Sequence, residues 1–164
     1  MGGSGAGQTR ASPVGGGGYS LQVLDVTPFD NIVVSVGEGG ASVPANTLQN
    51  GNNGQPTCFG PVCAAGGGGG LTQFGGPSPE QGGTDALLYW PGSYGRVPTS
   101  VSTWPPGGPA ARSSGLRDIA NLQTQDGLRN TGEGGSGGSS AYPSGKGGAG
   151  FALVTWFTLS SDSL

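Results

Sequence analysis

The sequence predicts a mainly β fold: a small antiparallel β-sheet or sandwich carrying extended, polyglycine II-like excursions, with little or no helix. Three observations predict it. Glycine takes 38 and proline 13 of the 164 positions, against an average of roughly 12 % for the two together. Apolar residues make up only 32 % of the chain and gather in a few short runs rich in β-formers. The glycine-rich stretches between those runs keep no Gly-X-Y period, which excludes collagen.

The elements follow in chain order. Residues 1–18 form a glycine-rich opening that ends in Gly15 to Gly18. Segment 19–26, YSLQVLDV, has strand composition. Thr27-Pro28-Phe29-Asp30 carries turn chemistry, with Pro28 suited to the second turn position. Segment 31–36, NIVVSV, alternates Ile32, Val34 and Val36 on one face, so it is expected to pair with 19–26 as a hairpin or to follow it as a neighbouring strand. From Gly37 to Gly83 the chain is rich in Gly, Asn, Pro and Ser and keeps neither period. Residues 116–129, LRDIANLQTQDGLR, place Leu116, Ile119 and Leu122 at helical spacing, although Gly127 opposes a helix there. Glycines return over 132–150, and 151–159, FALVTWFTL, is the strongest strand signal in the chain. The length suits a single domain spanning residues 1–164.

A run such as Gly66 to Gly70 has no side chains to bury. If such runs are ordered, their amides must be paired, because an unpaired buried backbone group is costly. An extended left-handed helix with about three residues per turn meets that demand, since its backbone groups face outward and can bond to neighbours. Glycine lets such backbones approach closely. The outcome is a rigid slab with variable loops at its edges; the alternative is a flexible linker.

Composition also excludes several functions. The chain holds no histidine, the commonest acid–base catalyst and metal ligand. With 6 basic and 9 acidic residues, it has no electrostatic footprint for nucleic acid or for an anionic membrane. No stretch approaches the roughly 18 apolar residues of a membrane span, and MGGSGAGQTR lacks the apolar core of a signal peptide. Cys58 and Cys63 flank a Phe-Gly-Pro-Val segment. They make a local disulfide or two buried thiols, and two cysteines without histidine do not complete a zinc site. Asp85, Asp118, Asp126 and Glu133 sit in contexts expected to be solvated loops rather than a catalytic carboxylate pair. The Gly132-Glu133-Gly134-Gly135 stretch lacks the Gly-Lys-Ser/Thr ending of a phosphate loop, and Lys146 has no such context either. The expectation is a protein that is not an enzyme and needs no cofactor. Tyr89, Trp90, Tyr94 and Trp104 cluster among Pro91, Pro98, Pro105 and Pro106. They form either a satellite core or a receptor or subunit contact, since exposed aromatics stack on sugars and anchor interfaces.

Over Gly15 to Gly70 an ordered set of features appears: Val26-Thr27-Pro28, Val36 to Gly40, Asn50 to Gly54, Thr57-Cys58-Phe59-Gly60 and Gly66 to Gly70. With Gly145-Lys146-Gly147-Gly148-Ala149-Gly150 before FALVTWF, the set resembles the glycine-rich domain of bacteriophage tail-fibre and tail-tip proteins. Residues 84–130 have no counterpart in that pattern and are expected to be a variable insertion. The resemblance implies a virion structural protein, made in the host cytoplasm without a signal peptide and serving host attachment. A capsid or tail decoration (cement) protein and a flexible extracellular glycine-rich linker are the other expectations. Its partners would be other virion proteins, a second copy of the chain in a homo-oligomer, and a glycan or protein of the host surface. The family usually begins with a strand before the first glycine run; here Met1 is followed at once by Gly2-Gly3-Ser4-Gly5. The sheet is therefore expected to expose an edge that another chain covers.

Overall fold

A computed structural model describes residues 15–47, 49–70, 87–93, 126–138 and 142–157. Among these the regular elements are five short strands: β1 Tyr19–Leu21, β2 Val34–Ser35, β3 Thr57–Phe59, β4 Val62–Ala64 and β5 Leu88–Trp90. They form two antiparallel sheets, β1-β5 and β2-β3-β4, and no helix occurs among the described residues. The fold is mainly β, in agreement with the sequence. The two sheets are tied where the Ser20 hydroxyl donates to the Cys63 carbonyl at 2.7 Å.

Most of the molecule's order lies outside the strands. Gly15 and Gly18 donate to the carbonyls of Gly68 and Ala65, both at 3.0 Å, while Gly16 donates to Ser93 and Gly17 to Gly132. Neighbouring amides thus point to different segments, and the direction returns after three residues. That is the signature of an extended helix with about three residues per turn.

Segment 144–150 repeats the pattern over a longer span. Ser144, Gly147 and Gly150 donate to Val43, Gly40 and Gly37, an antiparallel row with a three-residue step. Gly145 and Gly148 form a second row, to Ser136 and Glu133. The remaining direction is taken by Lys146, whose amide donates to Asp126 Oδ1 at 2.7 Å, and the Lys146 carbonyl accepts from Gly127. A further row joins Gly51 and Gly54 to Gly70 and Gly67. Each segment has neighbours on more than one side, so the rows knit into a lattice of backbone.

Glycine is obligatory where these segments touch. A β-carbon on Gly39 would run into the Gly147 carbonyl, one on Gly67 into Gly15, and one on Gly148 into Leu128. The lattice replaces an ordinary core: the buried hydrophobic residues are Val43 and Ala64 alone among those described. Buried hydroxyls complete it. Ser144 Oγ accepts from the Val43 amide and Thr57 Oγ1 from the Gly37 amide, so neither donor is left unpaired.

The strands depart from expectation in pairing. Segments 19–26 and 31–36 supply β1 and β2 but form no hairpin with each other, because β1 pairs with β5 and β2 with β3. The cause lies in the intervening turn. Asp30 donates to the Thr27 carbonyl, Pro28 holds the second position, and Phe29 takes φ 73° at the third. This is type II geometry, whose twist splays the flanking strands. The tight hairpin is instead β3-β4, joined by Gly60-Pro61 with Gly60 at φ 56°. A positive φ at the first turn position matches type II′, which does fit strand twist.

Segment 151–159 was expected as the strongest strand, yet residues 151–157 form none and are exposed throughout. The row from segment 144–150 to segment 37–43 stops at Gly150, where side chains begin, and no hydrogen bond from the other described residues continues it. Part of the expected insertion 84–130 belongs to the fold, since residues 88–90 are β5 and Ser93 accepts from Gly16. Of the helix candidate 116–129, residues 126–129 are non-helical and the rest lies outside the described residues.

Candidate contact surface

The first candidate surface is built on the β1-β5 ribbon. Tyr19 stands directly opposite Trp90 in the register. Their rings lie 5.9 Å apart at an interplanar angle of 33°, an offset arrangement favourable for aromatic pairs. Alternation turns the adjacent Tyr89 to the other face, where its ring packs against Gly18; a β-carbon on Gly18 would lie 3.0 Å from Tyr89 Cε2. Burial pushes the Tyr89 phenol above its ordinary pKa. The predicted aromatic cluster therefore divides. Tyr89 is a packing residue, whereas Trp90 stays 45 % exposed and is steadied by Tyr19. Tyr94 and Trp104 lie outside the described residues. Tyr19 was not singled out from sequence, because only the cross-strand register joins it to Trp90.

A second surface is the apolar segment after the lattice. Leu153 is 84 % exposed, Trp156 79 % and Phe157 89 %. No hydrogen bond joins residues 151–157 to the other described residues. Their backbone groups and side chains are both available to a partner.

Cys58 and Cys63 are joined by a disulfide with an S–S distance of 2.13 Å. They are direct partners across β3 and β4. The bond clips the hairpin just before the chain enters the glycine run at 66–70.

The carboxylates have structural partners. Asp126 accepts from the Lys146 amide. Glu133 is 5 % exposed, and its Oε2 accepts from the Leu128 amide at 3.4 Å. Asp85 and Asp118 lie outside the described residues. Lys146 joins the lattice through its backbone and is exposed. No helix among the described residues is long and apolar enough to cross a membrane.

No curated protein matches the sequence. Residues 1–100 match a family model described as a glycine-rich domain. That span takes in the glycine run at 15–18, both sheets and the disulfide hairpin, and it stops before the 144–150 rows. With more than half of its length matched and its interior made of glycine backbone, the chain belongs to the glycine-rich domain family.

Proposed function

We propose that this chain is a non-catalytic virion structural protein of the tail-fibre or tail-tip type, which serves attachment to the host. One observation carries the proposal: the polarity of an ordinary globule is inverted. Backbone fills the interior, while Trp90, Leu153, Trp156 and Phe157 face solvent. Globular domains seldom leave large apolar side chains exposed in contiguous stretches unless a partner covers them. A lattice held by backbone bonds makes a rigid platform whose edges can vary without loss of the interior. The resemblance of the glycine-run, turn and strand order to phage fibre domains supplies the virion setting.

The decoration-protein reading has an observation of its own. Segment 151–157 offers seven consecutive exposed residues that make no hydrogen bond to the other described residues. A neighbouring subunit could add a strand to it. Immunogold labelling of this chain on intact particles separates the two. Attachment predicts label at the tail tip, with adsorption lost in Trp90→Ala particles that still assemble. Label spread over the capsid, with normal adsorption, would favour decoration, and absence from particles would defeat both.

A further inference from the structure

We propose that the Thr27–Asp30 turn, with Phe29 and the groove beside it, is a docking site for a cationic, partly apolar protein segment bearing lysine or arginine. The site is separate from the aromatic ribbon and from segment 151–157, and its assignment holds for either virion role.

Phe29 does not suit the turn it occupies. Its turn is fastened twice: Asp30 donates to the Thr27 carbonyl at 3.1 Å, and the Thr27 amide donates to Asp30 Oδ2 at 2.8 Å. Pro28 fixes the second position. This geometry imposes φ 73° on the third, a conformation suited to glycine and disfavoured for a residue with a β-carbon. Phe29 is nevertheless 99 % exposed, so burial within the fold returns nothing for the strain. Neither local geometry nor packing calls for phenylalanine here. Backbone strain held at a surface position is consistent with a contact made there.

The neighbouring groove supplies the rest. It has a volume of about 480 Å³ and is walled by half-buried Leu24 and Ile32 together with Val33 and Pro61. Asp25 and Asp30 also line it, and no lysine or arginine among the described residues does. Hydrogen bonds from the Thr27 side chain and amide keep the Asp30 carboxyl below the usual carboxylate range, so its charge persists at neutral pH. The groove therefore pairs apolar walls with two negative charges. A lysine or arginine side chain fits that combination, with its aliphatic stem against the walls and its charge toward the carboxylates. The exposed ring of Phe29, next to Asp30 in the chain, is open to the same segment. A second copy of this chain would bring Asp25 and Asp30 against themselves if it docked symmetrically, which disfavours that occupant.

The test exploits the misfit. Phe29→Gly removes the ring and relieves the backbone at once, so loss of binding is not loss of fold. The full chain is titrated by NMR with a synthetic peptide of alternating lysine and valine, and separately with its glutamate–valine counterpart, a neutral oligosaccharide and increasing amounts of itself. The proposal predicts saturable shifts at Leu24, Asp25 and Ile32 with the lysine peptide alone, weakened by added salt. Affinity falls about tenfold or more in Phe29→Gly and in Asp25→Asn, while the thermal midpoint of Phe29→Gly equals or exceeds that of the parent. Equal binding of the glutamate peptide, binding unaffected by Phe29→Gly, or no binding of the lysine peptide overturns the proposal. So does a groove that instead responds to the oligosaccharide or to self-association. A lowered midpoint in Phe29→Gly would remove its premise.

Discussion

Single residues are used here in ways their neighbours alone do not reveal. Thr27-Pro28-Phe29-Asp30 is legible in sequence as a turn, and it is one. Its type was not legible, because glycine, the usual marker of a positive φ, is replaced by Phe29. The type mattered, since it decided that β1 and β2 would part. Asp30 gives this turn a pH dependence. Hydrogen bonds from the Thr27 side chain and then its amide lower the Asp30 pKa in the folded chain. A carboxyl depressed by folding contributes stability above its unfolded value of about 3.9 and loses it as the pH falls through the lower folded value. The carboxyl is solvent-exposed, so the effect is local. Amide exchange at Thr27 should accelerate on acidification through that window, once the intrinsic pH dependence is removed. In Asp30→Asn that acceleration should be absent.

The elements divide by how local their causes are. Runs such as Gly66 to Gly70 and the 145–150 stretch announce close backbone packing in the sequence, and they supply lattice rows. The partners of those rows are not legible, because glycines carry no side chains to encode a register. Sites where a side chain intrudes, such as Lys146 opposite Asp126, become visible only in space. The disulfide was one of two open alternatives until β3 and β4 placed Cys58 opposite Cys63. Segment 151–157 shows the reverse error. Its β-forming composition is real, but a strand needs a neighbour, and no hydrogen bond joins it to the other described residues. The lattice rows make a sharp prediction of their own. Gly39→Ala would drive a β-carbon into the Gly147 carbonyl and should lower stability by about 1–3 kcal/mol or more, as overpacking does. Glu38→Ala, at the exposed neighbour, should stay within about 0.5 kcal/mol. Chemical denaturation of the two variants beside the parent measures the contrast.

At the scale of the whole molecule, the composition that favours disorder supports order. With Val43 and Ala64 the buried hydrophobics among the described residues, hydrophobic burial cannot dominate in the usual way. Backbone hydrogen bonds repeated through adjoining rows take a larger share, each contributing about 0.5–1.5 kcal/mol net. Such a lattice leaves the apolar side chains free for the surface. This is the physical link between a glycine-built interior and the proposed contact function. The central claim is that the glycine backbone is the core, and residue-resolved hydrogen exchange tests it most directly. The account predicts slow exchange at Gly16, Gly17, Gly147 and Gly148, whose amides donate within the rows, and fast exchange at Leu153 and Trp156. Exchange at those four glycines as fast as in an unfolded chain would contradict it.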